Sequence, residues 1–151
     1  MCKGEVWMRT TGIVTDSHSS ISQEEAKKLG IFVLPMPFYI DGECYYESVT
    51  LSRELFFEKL TSGADISTSQ PSPTAVMEIW DKALEEYEKI LYMPISSGLS
   101  SSYNTAMMLA QEEKYEGRVL VVDDGQVAAP LHQMILDTLD MIEKGYEAEH
   151  I

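Results

Sequence analysis

Two hydroxyl-rich turns carry the residues best suited to chemistry: Thr68-Ser69-Gln70-Pro71-Ser72-Pro73 and Ile95-Ser96-Ser97-Gly98-Leu99-Ser100-Ser101-Ser102-Tyr103. Each is placed to open a helix. A helix start leaves backbone N–H groups without partners inside the helix, and the helix dipole makes that end weakly positive. Both turns are rich in Ser and Thr donors and contain neither Lys nor Arg. Such an end suits a small anion, a carboxylate or a phosphate. Helix capping is the commonest job of Ser and Thr at these positions. The turns are nonetheless longer and richer in hydroxyls than capping requires.

Other constellations are weaker. A serine hydrolase needs G-x-S-x-G, then an acid and a histidine further along. Gly98-Leu99-Ser100-Ser101-Ser102 lacks the second glycine, and the downstream histidines are His132, inside a helical pattern, and His150. Neither G-x-x-x-x-G-K-[ST] nor G-x-G-x-x-G occurs, so the usual phosphate cradles are missing. Asp16, Asp123 and Asp124 are carboxylates of the kind hard cations prefer. Their spacing matches no metal motif, and Asp at a strand end commonly caps a turn. The enzymatic alternative is a small hydrolase or a phosphatase built on Asp16 and Asp123, with His18 as a base. A solvent-facing loop position is the plainer expectation for His18.

The elements that position these turns follow from periodicity and punctuation. Residues 1–10 mix charged and aromatic types without a period and predict a flexible tail. Thr11 to Thr15 is a first strand, and Ser22-Gln23-Glu24-Glu25 is a capping box for a helix stopped by Gly30. Ile31 to Ile40 is extended but interrupted by Pro35 and Pro37, and Asp41-Gly42 is a hairpin turn into Glu43 to Tyr46. Ser52 caps a second helix with Leu55, Phe56 and Leu60 on one face. Ser72-Pro73 starts a third, whose apolar face runs Val76, Ile79, Trp80, Ala83, Leu84 and Tyr87. Lys89 to Ile95 and Arg118 to Val122 are strands. Between them a helix points Tyr103, Ala106, Met107 and Ala110 inward, and a last helix spans about Val127 to Glu143. Strands alternating with helices predict an α/β domain with a mainly parallel sheet flanked by helices in three layers. Ligands of such folds sit outside the carboxyl ends of the strands. Asp16-Ser17, Ser96 to Ser102 and Asp123-Asp124 all follow strands, and the Thr68 turn is expected to reach the same edge.

Charge narrows the partners. With 25 acidic and 11 basic residues the net charge is −14, which argues against nucleic acid and against anionic membrane surfaces. No apolar run is long enough to span a membrane, and no basic leader with an apolar core is present. Cys2 and Cys44 are the two cysteines, far apart, so neither a disulfide framework nor a zinc site is signalled and a reducing cytoplasm is expected. Nine methionines suit ordinary core packing for most of them, and also adaptable apolar surfaces.

Four segments in order, Val14-Thr15-Asp16-Ser17, Thr68-Ser69-Gln70-Pro71-Ser72-Pro73, Pro94-Ile95-Ser96-Ser97-Gly98-Leu99-Ser100 and Val121-Val122-Asp123, resemble the DegV family. These are bacterial fatty-acid-binding proteins that include the FakB subunits of fatty acid kinase. The resemblance implies a long-chain fatty acid as ligand, its carboxylate held by Thr68 and Ser100 with Ser69 and Ser97 in support. Asp16, Ser17, Gly98 and Asp123 are further supporting positions. It implies a non-catalytic cytoplasmic protein without metal or cofactor that presents the fatty acid to a separate kinase subunit. Two departures stand out. Asp123-Asp124-Gly125 replaces the Asp-Ser expected there, bringing an extra negative charge, and Pro130 implies a late start for the last helix. Residues 11–151 correspond to the N-terminal α/β domain of that family. The second domain that would close the acyl tunnel is absent, so the exposed apolar surface favours a homodimer, aggregation or a partner supplying the missing wall.

Overall fold

A central strand, β1 (Arg9–Asp16), organises the molecule. It pairs in parallel with β2 (Phe32–Leu34) on one side and with β6 (Tyr87–Met93) on the other, and β7 (Val119–Val121) lies beyond β6. The structure, a computed structural model, describes residues 9–47 and 49–151. Of the tail expected over residues 1–10, residues 1–8 lie outside the described residues, while Arg9 and Thr10 already belong to β1.

Neighbouring residues of the parallel strands serve two cores because both faces of the sheet are covered. Val14, Ile90 and Tyr92 pack with Val76, Trp80 and Ala83 of α3 (Pro73–Glu86) and Ala106 of α4 (Ser102–Leu109). Ile13, Val33 and Met93 face the other way, onto Ala26 of α1 (Gln23–Leu29) and Leu131 and Ile135 of α5 (Ala128–Glu143). The expected three-layer α/β domain is formed. Helix starts fall where the caps predict them: the hydroxyls of Ser22, Ser52 and Ser72 accept from the N–H groups of Glu25, Leu55 and Ala75 at 3.1, 3.1 and 3.2 Å. Pro130 sits within the first turn of α5, where a missing N–H deprives no helical carbonyl of its partner. The helix starts at Ala128, close to the expected Val127.

The apolar stretch Ile31 to Ile40 divides between two sheets. After β2, Pro35 has no N–H to offer, and the N–H of Met36 goes to the Ser17 hydroxyl at 3.0 Å in place of a ladder partner. Pro37 then opens β3 (Pro37–Ile40), the middle strand of a separate antiparallel sheet with β4 (Glu43–Tyr46) and β5 (Ile66–Thr68). Asp41 and Gly42 both have positive φ, 51° and 83°, as a two-residue hairpin turn of this hand requires. The helix α2 (Arg53–Thr61) buries no residue. It meets the small sheet through Phe56, edge-on to Phe38 with ring centres 5.8 Å apart, while Leu60 of its expected apolar face is exposed. The methionines also divide: Met36 and Met93 are buried, but Met107, Met108 and Met134 are exposed, so core packing accounts for fewer of them than expected.

Tyr87, expected as the last inward residue of the third helix, instead begins β6. Its hydroxyl donates to the Gly30 carbonyl at 2.7 Å, and its ring lies so close to Gly12 that a Cβ there would sit 2.5 Å from Cδ2. Gly12→Ala is therefore expected to cost about 1–3 kcal/mol through overpacking. Urea denaturation measures this, and a midpoint matching that of the wild type would refute the close approach.

Candidate functional site

Strands β1 and β6 are parallel and register-matched up to Thr15 and Met93, so the residues after them meet at one sheet edge. Asp16 joins the two. It is fully buried; Oδ2 accepts the Ile95 N–H at 2.8 Å and Oδ1 accepts the His18 N–H at 2.9 Å. Burial pushes its carboxyl above the usual aspartate range, and these two N–H groups pull part of the way back. The Thr15 hydroxyl donates to the Met93 carbonyl at 2.7 Å. Asp16 and Ser17 thus tie neighbouring segments together through backbone N–H groups, and both Asp16 oxygens are already occupied. Among the described residues no cluster of three or more His, Cys, Asp or Glu side chains could hold a metal ion.

The two hydroxyl turns converge on a cleft of about 280 Å³. Thr68, Ser69 and Gln70 line it from the first turn, and Ile95, Leu99, Ser100 and Ser101 from the second, with His18 and Met36 from earlier in the chain. Thr68 arrives there because it ends β5, paired with Phe38 of β3. The turns are also joined to each other, since the Thr105 hydroxyl of α4 donates to Gln70 Oε1 at 3.3 Å. Ser100 is half-buried, and its Oγ lies 2.9 Å from Ser102 Oγ and accepts the Ser102 N–H at 3.2 Å. Some hydroxyls are occupied as caps, Ser72 among them, whereas Thr68 and Ser100 line the cleft.

Ser97, Gly98 and Asp123 are not among the cleft-lining residues. Ser97 gives both its hydroxyl and its N–H, the latter at 3.2 Å, to Asp123. Those bonds, the hydroxyl foremost, hold the Asp123 carboxyl below the usual range. Ser97 therefore tethers the second turn to the segment that follows β7. Asp124 does not line the cleft either: Oδ1 accepts the Gln126 N–H at 2.9 Å, and burial raises its pKa. The additional charge noted in the sequence is thus directed elsewhere. His18 departs from expectation in the opposite sense. It is half-buried in a 3₁₀ turn, Ser17–Ser19, and belongs to the cleft, as does Gln70. Gln70 stands inside the first hydroxyl turn and His18 directly follows Asp16-Ser17, which is the signal that could have found them.

Larger grooves lie elsewhere. One of about 420 Å³ runs between the 3₁₀ turn and α2, lined by Ile21, Phe38, Leu51 and Phe56. Three of its four serine hydroxyls are in use, Ser22 and Ser52 as helix caps and Ser17 by Met36, and Ser20 is the fourth. Another, of about 730 Å³, flanks β2 and is mostly apolar. Neither is lined by residues of both hydroxyl turns, as the smaller cleft is.

The model of a family described as uncharacterised protein, DegV family, matches residues 10–151. A DegV domain-containing protein of Caldanaerobacter subterraneus is 30% identical over 144 residues, covering 95% of this chain and 51% of the relative. A DegV domain-containing 15.5 kDa protein of Staphylococcus aureus is 30% identical over 130 residues, 86% of this chain and 91% of that one. Among solved structures, a fatty-acid-binding DegV family protein from Thermus thermophilus superposes with a TM-score of 0.83 at 32% identity, over 93% of this chain and 50% of that one. A Thermotoga maritima protein whose structure reveals fatty acid binding gives 0.81 at 25% identity, over 93% and 52%. The chain thus spans about half the length of the Caldanaerobacter relative and of both solved structures. Among the described residues no helix is long and apolar enough to cross a membrane.

Proposed function

This chain belongs to the DegV family, and from that premise we propose that it binds a long-chain fatty acid by its carboxylate between the two hydroxyl turns. Thr68 and Ser100 donate to the carboxylate, and Ser69 and nearby backbone N–H groups complete the headgroup site. Ser97 and Asp123 hold the second turn in place, and Asp16 anchors its first residue. The observation carrying this reading is the cleft that gathers Thr68, Ser69 and Ser100 from two separate elements. The fatty acid binding reported for the Thermus and Thermotoga proteins points the same way.

The energetics fit a lipid carrier. Burial of an alkyl chain contributes about 0.8 kcal/mol per methylene, so most of the affinity comes from the tail. The headgroup site has only to orient. Neutral donors do this while leaving a carboxylate oxygen open to phosphoryl transfer. Leu99, 65% exposed at the cleft, offers the first apolar contact beyond the headgroup. The protein itself performs no chemistry in this reading: in the bacterial cytoplasm it presents the fatty acid to a fatty acid kinase. A wall for the remaining methylenes comes from a further domain, a second copy or the kinase.

Native mass spectrometry of the protein purified from bacteria, followed by organic extraction, tests the binding. A retained mass matching a fatty acid supports it. A protein that stays empty after incubation with saturated and unsaturated fatty acids overturns it for this chain. Kinase and ATP added to the loaded protein test the presentation, by whether an acyl phosphate forms.

A further inference from the structure

We propose that His18 supplies the counter-charge to the bound headgroup, so that the cleft holds an anionic amphiphile more tightly when the imidazole is protonated. This rests on the headgroup reading of the preceding subsection. Among the residues that line the cleft, His18 is the one ionisable side chain; the others offer hydroxyls, an amide, a thioether and aliphatic groups. Its backbone N–H is fixed to Asp16 Oδ1 at 2.9 Å, which sets the position of the turn, and its ring makes no hydrogen bond among the described residues. A half-buried imidazole sharing the cleft with the Thr68 and Ser101 hydroxyls, which make no hydrogen bond among the described residues, is placed to donate to an anion. Histidine is also the side chain whose charge ordinarily changes between about pH 5 and 8.

The ionisable groups around the 3₁₀ turn are mostly acidic. Asp16 lies directly before it and is attracted to His18. Glu47 acts on the same Asp16 carboxyl and adds negative potential. The helix α5 packs against this turn, and its His132 is engaged by Glu25 of α1 at 2.8 Å, so that histidine already has its own carboxylate. No lysine or arginine lines the cleft. The protein's net charge of −14 makes a local cation the more useful for admitting an anion.

The test is isothermal titration calorimetry with dodecanesulfonate, whose headgroup keeps its charge throughout, between pH 5.5 and 8.5. Wild-type affinity is expected to fall about tenfold over that range, the worth of one charge-assisted bond in a partly exposed site. His18→Gln is expected to show no slope and to match the wild type at pH 8.5. His18→Lys, carrying a fixed charge, is expected to hold the affinity of the low-pH wild type at every pH. Equal slopes in wild type and His18→Gln overturn the role of His18 and leave the headgroup site standing. No binding of sulfonate or palmitate by the wild type overturns both.

Discussion

Replacing Asp16 with alanine is expected to destabilise the fold by about 3 kcal/mol. The carboxylate accepts two N–H groups, from Ile95 and His18, and it is fully buried. Each buried donor left without an acceptor costs about 1–3 kcal/mol. Against this stands the cost of burying the carboxylate, which is relieved in the variant. For a chain of this size the loss corresponds to a fall in Tm of about 6–12 °C. Asp16→Asn keeps one acceptor and is expected to lose about 2 kcal/mol. The pH dependence has a definite sign. Burial raises the native pKa of Asp16 above its unfolded value, so the native state binds the proton more readily. Stability from this group is complete below the unfolded pKa, about 3.9, and declines as pH rises through the raised native value. The alanine variant lacks that slope. Urea titrations at several pH values measure both effects, and a loss below about 1 kcal/mol would mean that the two N–H groups find other acceptors.

Thr68→Ala and Ser100→Ala are each expected to weaken fatty acid binding about tenfold to a hundredfold, the range for one hydrogen bond to a charged group. Their stability effects should differ. Thr68 is exposed at the end of β5, and its truncation should alter stability by less than about 0.5 kcal/mol. Ser100 also accepts the Ser102 N–H at the start of α4, so its loss adds about 1 kcal/mol of destabilisation. Thr68→Ala is therefore the cleaner probe. Ser97→Ala is the contrast: its hydroxyl goes to Asp123, and affinity should change by less than about fivefold, the share of a loosened turn. Competition with a fluorescent fatty acid reads all three. Equal losses for Thr68→Ala and Ser97→Ala would sink the assignment of the headgroup site.

The parts of the fold that sequence makes legible are those set by neighbours in the chain. Ser22, Ser52 and Ser72 cap their helices through N–H groups three residues on, and Gly30 ends α1 in the left-handed conformation its type permits. Such contacts depend on local chemistry alone. Tyr87 escapes this reading because it lies seven residues after Trp80, in phase with the helix, while its true partners, Gly12 and Gly30, are remote. The division of residues 31–40 between two sheets depends likewise on the Ser17 hydroxyl. In the site, Thr68, Ser69 and Ser100 stand out by type and spacing. What Asp16, Ser97 and Asp123 do cannot be read locally, because each is defined by a bond to a residue more than twenty positions away. His18 is a similar case: its cleft exists only after four separate stretches of chain have met.

The bonds that join β1 to the second turn also carry a consequence for time. Thr15 reaches Met93 across 78 positions, and Asp16 reaches Ile95 across 79. Contacts this remote carry a large loop-closure cost before they return anything, and they slow folding. At about 5–20 residues per second of synthesis, β1 waits roughly 4–16 s for the strand that covers its second edge. During that interval Ile13 and Val14 have only the short β2 beside them, and a chaperone or a ribosome-bound neighbour meets an open central strand. The cleft closes only when this loop does, so it cannot form until both hydroxyl turns have been made.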